Sequence, residues 1–191
     1  MSDIFTISEA DLVYMAQSGD RRAYGELVRR CQGSVVGVVY RMCGDPHLAE
    51  DAAQEAFVKA WERLSAFTPR GEHGIKAWLC RIAINTALDA LRRQKHTADM
   101  PEMGAALQDI TPGPEAAVLQ AEKISEVQRA ILALPEASRA VLVLREYEDL
   151  SYRQIADVLD IPLGTVMSRL NYARSRLRET LVAPVETTGE C

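Results

Sequence analysis

The sequence contains no apolar run that approaches the roughly 20 residues needed for a membrane-spanning helix. Its first six residues also lack the basic and apolar regions of a signal peptide. We therefore expect a protein that is neither inserted in a membrane nor secreted, and that works in the cytosol.

Cysteine and histidine are scarce, with four cysteines and three histidines in 191 residues. No Cys-x-x-Cys pair occurs, whereas structural zinc sites usually have closely spaced ligands. In a reducing cytosol, scattered cysteines are typical of buried thiols rather than disulfides. We expect no metal site, and a redox role for Cys43 or Cys80 stays open.

Motifs that carry enzyme chemistry are also missing. The sequence has no Gly-rich phosphate loop, no His-Glu-x-x-His zinc motif and no nucleophile motif. The three histidines have no evident carboxylate partner in the sequence. The sequence therefore predicts a protein that is not an enzyme and that needs no cofactor.

The apolar residues that are present follow a helical spacing almost throughout, and no segment alternates in the manner of a strand. This pattern predicts an all-α fold. The expected helices cover residues 21–42, 46–64, 75–95, 115–134, 136–146, 152–159 and 165–181.

The helical period fails over residues 97–114, where prolines, glycines and acidic residues are concentrated. We therefore predict two small helical domains, 8–96 and 122–183, joined by a flexible acidic linker, 97–121. The C-terminal domain is expected to contain a helix-turn-helix.

Charge is strongly segregated although the formal net charge is −5. Residues 75–96 carry five basic side chains against one acidic, and residues 165–181 carry four against one. Residues 97–126 carry six acidic side chains against one basic. Two basic helices indicate two phosphate-facing surfaces, while the acidic total predicts weak DNA binding by the isolated chain.

Residues 46–64 show the clearest amphipathic pattern, beginning with Asp45 as a predicted N-cap and Pro46 in the first turn. Phe57 and Trp61 lie on the apolar stripe and are expected in the core. Taken alone, the polar stripe opposite is typical of a solvated helix face. That stripe contains Glu50, Asp51, Gln54, Glu55, Lys59 and Glu62.

The helix predicted over 75–95 has a polar face opposite its apolar one. An asparagine such as Asn85 can make bidentate contacts to a base, while Lys76, Arg92 and Arg93 suit phosphates. Trp78 fits a core position and a base-stacking position equally well. The continuous polar face contains Arg81, Asn85, Asp89 and Arg92.

Residues 150–166 carry a helix-turn-helix signal. Ser151 is a predicted cap of the first helix, Pro162 and Gly164 predict the turn, and Thr165 is a predicted cap of the second helix. The second helix would read base edges in the major groove, while Arg153 would contact phosphate. The predicted contacts on the second helix are Thr165, Ser168, Arg169, Tyr172, Arg174 and Arg176.

These segments resemble the extracytoplasmic-function (ECF) sigma factors of the sigma-70 superfamily. The resemblance rests on LSYRQIADVLDIPLGTVMSRL near the C-terminus, on DAAQEAFVKAW at 51–61 and on IKAWLCRIAINTALDALRR at 75–93. It implies a subunit that binds bacterial core RNA polymerase, reads the −10 and −35 promoter elements and helps to melt DNA. It also implies an anti-sigma factor as a partner and a flipped base held by the loop over 65–74.

The resemblance assigns roles to three sets of residues. The polymerase face is Asp51, Gln54, Glu55 and Lys59. The −10 face is Lys76, Trp78, Arg81, Asn85, Asp89, Arg92 and Arg93. The −35 face is Arg153, Thr165, Ser168, Arg169, Tyr172, Arg174 and Arg176.

At Met167 and Tyr172 the chain departs from the family, which usually has a basic residue at the first position and often at the second. The resemblance therefore implies no particular −35 sequence.

An independent repressor or activator is the main alternative, and it would bind a palindromic operator tightly without polymerase. The acidic net charge and the two different basic helices disfavour it. A response regulator would begin with an alternating strand–helix pattern, which this sequence lacks.

Overall fold

The computed structural model describes residues 4–68, 74–97 and 125–182, and all regular structure in these ranges is helical, as predicted. Short 3-10 turns cover Ile4–Thr6 and Leu64–Ala66. The N-terminal helices are α1 (Glu9–Gln17), α2 (Arg21–Cys43), α3 (Pro46–Arg63) and α4 (Ile75–Thr97). The C-terminal helices are α5, described over 125–132, α6 (Glu136–Glu146), α7 (Tyr152–Leu159) and α8 (Leu163–Val182).

Most helix ends follow from local capping chemistry. The Asp45 side chain accepts hydrogen bonds from the backbone N–H groups of His47 and Leu48, which confirms it as the cap of α3. Ser151 and Gln154 form a reciprocal capping box at the start of α7. The predicted bounds of α6 and α7 are confirmed.

The start of the last helix differs from the prediction. The Pro162 carbonyl accepts hydrogen bonds from both Thr165 and Val166, so helical bonding begins before Thr165 and α8 starts at Leu163. Thr165 is thus not the cap, and Gly164 lies inside the helix. The left-handed residue that ends α7 is Asp160, with a φ of 54°.

Helix α1 is not among the predicted elements. Ser8 caps it by accepting a hydrogen bond from the Asp11 N–H, and the helix buries Leu12, Val13 and Ala16. The sequence signal is the spacing of Ser8 and Asp11 before an apolar pair, which is an N-terminal helix signature.

The N-terminal domain is formed by α1 to α4, with α3 packed against both α2 and α4. The buried face of α3 consists mainly of small side chains, and small side chains permit a close approach of helices. Five alanines form it, each at most 2% exposed: Ala49, Ala52, Ala53, Ala56 and Ala60.

A buried ionic group ties the N-terminal segment to this domain. The Glu26 side chain is only 3% exposed and pairs with Arg29 and Arg30, each at 2.7 Å. Arg30 also donates hydrogen bonds to the carbonyls of Phe5 and Ile7, at 3.0 and 2.9 Å. Hydrogen bonds from Arg29, followed by those from Arg30, lower the pKa of Glu26 to about 2.

The C-terminal domain packs α6, α7 and α8 around a continuous apolar centre. In the helix-turn-helix, Ile155 and Val166 are fully buried, while Ala156, Leu159 and Ile161 are half-buried. Leu144 of α6 and Leu170 of α8 complete this centre.

The two domains pack against each other, chiefly through α2 with α6 and α4 with α7. Residues 98–124 lie outside the described residues, so the predicted linker and the first part of the predicted helix 115–134 stay predictions. None of the described helices is both long and apolar enough to cross a bilayer.

Replacing Glu26 with glutamine keeps its shape but removes the charge that pairs with Arg29 and Arg30. A carboxyl with a depressed folded-state pKa stabilises the fold fully above its ordinary pKa of 4.5, and this contribution is lost as the pH falls toward about 2. We expect Glu26→Gln to lower the urea midpoint at neutral pH, and the difference from wild type to shrink between about pH 5 and about pH 3.

The matched control is Glu62→Gln, which changes an exposed glutamate of α3. Equal and pH-independent effects of the two substitutions would contradict a stabilising role for the buried ionic group.

Candidate protein and nucleic-acid interfaces

The predicted polymerase face is divided between exposed residues and residues that pair within the domain. Asp51 and Gln54 are exposed on α3. Glu55 pairs with Lys59 at 2.7 Å and with Arg93 of α4 at 3.7 Å. The hydrogen bond from Lys59 is the main cause that lowers the pKa of Glu55. Asp51 and Gln54 are therefore the exposed residues of the predicted polymerase face.

Val58 lies on the same face and was missed by the sequence analysis. It follows Gln54 and Glu55 by four and three residues, which places all three on one side of the helix. The Val58 side chain is 60% exposed. An apolar side chain within a polar rim is typical of a protein interface, and its helical spacing was the signal available in the sequence.

The neighbouring residues behave as predicted core positions. Phe57 and Trp61 are half-buried and packed against the core. The Trp61 ring lies 4.9 Å from the Tyr24 ring, and the Tyr24 hydroxyl donates to the Phe57 carbonyl at 2.6 Å. These contacts hold the turn of α3 that carries Val58.

A groove of about 410 Å³ runs between α3 and α4. It brings together four of the seven predicted −10 residues, namely Trp78, Arg81, Asn85 and Asp89. The groove is also lined by Arg63 and Thr86, which the sequence analysis missed because only the packing of α3 on α4 makes them neighbours. Lys59 lines it as well, and its amine donates to the Thr86 hydroxyl at 3.3 Å.

The remaining members of the −10 face lie along the same helix. Arg92 is exposed and pairs with Asp89 at 3.4 Å, while the exposed Arg93 reaches back to Glu55. Lys76 lies at the start of α4 and pairs with Glu148 of the C-terminal domain at 2.8 Å. Each of these three cations therefore already has an acidic partner within the chain.

Trp78 is half-buried, so it is partly a core residue, and its base-stacking role stays a prediction. Its ring packs on Phe67, with 4.9 Å between the ring centroids. It also lines the groove beside Arg81 and Asn85. The packing against Phe67 fixes the indole in a position where its outer part stays accessible from the groove.

Helix α1 positions the start of α4. A carboxylate oxygen of Glu9 accepts a hydrogen bond from the Ile75 backbone N–H at 3.0 Å, which satisfies a donor at the beginning of α4. The Gln17 amide donates to the carbonyls of Leu64 and Phe67 at 2.9 and 2.7 Å. Both sides of the loop between α3 and α4 are therefore tied to α1.

The predicted −35 residues lie on α7 and α8, and they differ in their exposure and in their ion pairs with other residues of the chain. Arg153, Ser168 and Tyr172 are exposed, whereas Thr165 and Arg169 are half-buried. Arg174 pairs with Glu146 of α6 at 2.7 Å, and this hydrogen bond raises the Arg174 pKa. Arg176 pairs with Glu179 one turn further along α8, at 2.8 Å.

Two apolar side chains are exposed at the beginning of α8. Leu163 and Met167 are 37% and 44% exposed and lie one helical turn apart. Met167 is one of the two positions at which the sequence departs from the family pattern. The N-terminal turns of α8 therefore present an apolar edge beside Ser168 and Tyr172.

The described cysteines are buried or half-buried thiols. Cys31 and Cys80 are buried, Cys43 is half-buried, and none of the three forms a disulfide. Burial raises the pKa of Cys31 to about 11 and that of Cys80 to about 12. Within the described ranges, His, Cys, Asp and Glu side chains form no cluster of three or more that could hold a metal.

Comparison with protein families gives two matches. The model of sigma-70 region 2 matches residues 27–97, from within α2 to the end of α4. The model of sigma-70 region 4 matches residues 124–177, which include the helix-turn-helix.

Relatives that align over nearly the whole chain are also sigma factors. The RNA polymerase sigma-H factor of Pseudomonas aeruginosa is 41% identical, with 91% of this chain and 93% of the relative covered. The ECF RNA polymerase sigma-E factor of Escherichia coli is 39% identical, with 90% and 93% covered. The ECF RNA polymerase sigma factor SigW of Bacillus subtilis is 33% identical, with 88% and 94% covered.

Two solved structures are similar in fold. CnrH, in complex with the cytosolic domain of CnrY, is 27% identical with a TM-score of 0.68, and 92% of this chain and 97% of CnrH are covered. The sigma factor RpoE of Bartonella quintana, in complex with the anti-sigma factor NepR, has a TM-score of 0.69 at 22% identity, with 84% and 97% covered.

The raised pKa values predict slow alkylation of the buried thiols. At about pH 8, nearly all of the Cys31 and Cys80 side chains are protonated, and the thiolate is the reactive form. We expect iodoacetamide to modify both residues far more slowly in the folded protein than in urea, as measured by peptide mass spectrometry. Rapid folded-state labelling of Cys80 would instead favour a redox role.

Proposed function

This chain belongs to the ECF sigma factors of the sigma-70 family, and on that premise we propose that it binds core RNA polymerase and directs promoter-specific initiation of transcription. The observation that carries the proposal is that the basic segment 75–96 lies in the match to sigma-70 region 2, and residues 165–177 of the second basic segment lie in the match to region 4. The relatives named above match nearly the whole chain, so the proposal concerns the complete two-domain arrangement.

We assign the parts of the activity to the predicted domains. The N-terminal domain, 8–96, would bind polymerase and recognise and melt the −10 element. The linker, 97–121, would connect it to the C-terminal domain, 122–183, which would recognise the −35 element. The support is that the region 2 and region 4 matches fall within these boundaries, apart from one residue at 97.

The polymerase contact would centre on the outward face of α3. Asp51 and Gln54 offer hydrogen-bonding groups, and the exposed Val58 offers apolar area between them and Glu62. Burial of an apolar side chain supplies affinity, while the polar groups around it fix the register of the partner. Glu55 and Lys59 would hold the shape of this face through their ion pair.

The −10 contact would lie in the groove between α3 and α4. Asn85 is suited to a base edge, and Trp78 offers a surface on which an unpaired base stacks. Arg81 and Arg63 add positive charge to the same groove. Lys76, Arg92 and Arg93 would contact phosphates, and Asp89 would orient Arg92 through their ion pair.

The −35 contact would involve the first turns of α8. Thr165, Ser168, Arg169 and Tyr172 would meet base edges in the major groove, and Arg153 would meet a phosphate. Arg174 is paired with Glu146, so it would reach DNA only by leaving that partner. The same holds for Arg176, which is paired with Glu179.

We propose two further features on the basis of family membership. An anti-sigma factor would hold the protein inactive, and CnrH, a relative in fold and sequence, was solved with the cytosolic domain of another protein bound. The protein would act in the cytoplasm as a non-enzymatic subunit without a cofactor, because its proposed partners are polymerase and chromosomal DNA.

The polymerase contact is tested with purified core enzyme that contains no sigma factor. The triple variant Asp51→Ala, Gln54→Ala and Glu55→Ala removes two acidic groups and one amide from α3. We expect its affinity for core enzyme to fall by about tenfold or more, because the loss of central interface residues costs about 2 kcal/mol or more. Binding is measured by fluorescence anisotropy of the labelled protein.

The control is the double variant Glu126→Ala and Asp160→Asn, which removes two exposed acidic groups from the C-terminal domain. Asp160 has a φ of 54°, a conformation that asparagine tolerates. If wild type, triple variant and control all fail to bind core enzyme, and wild type binds an operator tightly alone, the protein is an independent regulator.

The −35 contact is tested by Arg169→Ala. Holoenzyme made with wild-type protein is used for transcription of fragmented genomic DNA, and sequencing of the products locates the promoters. We expect Arg169→Ala to lower initiation at these promoters by about tenfold and to relax the preference at the −35 bases, because a base contact contributes about 1–3 kcal/mol.

Arg178→Ala is the control, since Arg178 is an exposed arginine near the far end of α8 and carries the same charge. A uniform loss at all promoters, with unchanged base preference, would identify Arg169 as a phosphate contact. No loss in either variant would remove Arg169 from the interface.

A further inference from the structure

An asparagine that is not among the predicted −35 residues lies on the outward face of α8. Val166, Leu170 and Ala173 are buried and mark the inward face of this helix. Asn171 follows Ser168 by three residues, and both side chains are exposed on the opposite side. The Asn171 amide has no hydrogen-bond partner among the described residues. Its donor and acceptor groups are therefore available to an external ligand.

Two exposed apolar side chains lie beside this asparagine. Met167 precedes Asn171 by four residues and is 44% exposed. Tyr172 follows Ser168 by four residues and is 46% exposed. Met167 and Tyr172 are also the two positions at which the chain departs from the family pattern. Met167, Ser168, Asn171 and Tyr172 thus form one uncharged patch on α8.

The charges around this uncharged patch favour duplex DNA as its partner. Residues 163–178 of α8 include four arginines and no acidic residue. Arg153 adds an exposed cation on α7, and neither Arg153 nor Arg169 has an ion-pair partner among the described residues. Phosphates border the major groove on both sides, so an uncharged patch with a cationic rim is complementary to it.

The chemistry of the uncharged patch matches an A·T pair better than a G·C pair. An asparagine amide can accept from N6 of adenine and donate to N7, so one side chain recognises two groups of this base. The C5 methyl of thymine is an apolar group in the major groove, and apolar side chains contact it favourably. Guanine is recognised mainly by arginine or lysine, and Arg169 is the one cationic residue of the segment 163–172.

We propose that Asn171 is a specificity-determining residue that binds the major-groove edge of an adenine in the −35 element. Met167 and Tyr172 contact the methyl groups of thymines near that adenine. The −35 element of this chain therefore contains A·T pairs at the bases that face the uncharged patch. This inference rests on the proposed function, because it requires that α8 lies in the major groove of promoter DNA.

The first test measures base preference with the complete holoenzyme. A promoter located by the genomic transcription experiment is prepared as a library in which the bases around position −35 are randomised. Each template carries a barcode in its transcribed region, so sequencing of the RNA gives the initiation rate of every template. We expect wild type to prefer adenine at one position by about tenfold, and Asn171→Ala to reduce this preference to about twofold or less.

The second test removes single groups from the DNA. Deoxyuridine in place of thymidine removes the C5 methyl, and 7-deazaadenine in place of adenine removes the N7 acceptor. We expect each replacement at a contacted base to lower the affinity of the holoenzyme by about threefold. The 7-deazaadenine effect should vanish in Asn171→Ala, and deoxyuridine effects at different positions should vanish in Met167→Ala and in Tyr172→Ala.

Thr180→Ala and Val182→Ala are the matched controls for the polar and the apolar substitutions. Both residues are exposed at the far end of α8, and Val182 is 72% exposed. Holoenzymes that contain these variants should keep the base preferences of wild type and its sensitivity to both base analogues.

Three results would overturn the inference, and they distinguish it from the proposed function. If wild type prefers particular −35 bases but Asn171→Ala and Met167→Ala keep every preference, the uncharged patch does not read bases and the proposed function stands. If both variants lose core binding, or initiate less at all templates equally, the patch is a protein contact. If wild-type holoenzyme initiates at no promoter, the inference and the proposed function both fail.

Discussion

The close packing of α3 between α2 and α4 is the constraint on which both N-terminal surfaces depend. Five alanines, each at most 2% exposed, form the buried side of α3 and bring its axis near its neighbours. Because the buried side contains only small groups, the long polar side chains of α3 either point outward or reach across to α4. The outward set includes Asp51 and Gln54 of the proposed polymerase face. In the crossing set, Glu55 pairs with Arg93 of α4, and Lys59 donates to Thr86 and lines the groove between α3 and α4.

Many of the cations proposed to contact DNA already have acidic partners in the chain. Lys76 pairs with Glu148, Arg93 with Glu55, and Arg174 with Glu146. The proposed DNA contacts would therefore exchange one ionic partner for another, which yields less free energy than binding by unpaired cations. This exchange gives a structural basis for the weak DNA binding expected of an isolated chain with a net charge of −5.

In the helix-turn-helix, local sequence signals predicted the correct motif but placed the start of its second helix at the wrong residue. Ser151 acts within one turn of α7, so its role as the cap was correctly predicted from the sequence, whereas the reciprocal bond from Gln154 was not predicted. The start of α8 depends on which carbonyl accepts the first helical bonds, and Pro162 takes that role before Thr165. Thr165 thus lies on the first turn of the helix, where it accompanies Ser168 and Arg169.

The sequence by itself determined most of the helices, the caps at Asp45 and Ser151, and the division into two sigma-70 regions. The helical spacing of apolar residues, helix capping and contacts one turn apart all involve residues that are close in the chain. They can therefore be predicted from the sequence before the tertiary structure is known. Only the tertiary structure decided which distant groups meet, such as Glu9 with Ile75, Lys59 with Thr86 and Lys76 with Glu148. These contacts join residues that are 66, 27 and 72 positions apart in the chain, and side-chain identity does not specify such pairs until the helices have packed.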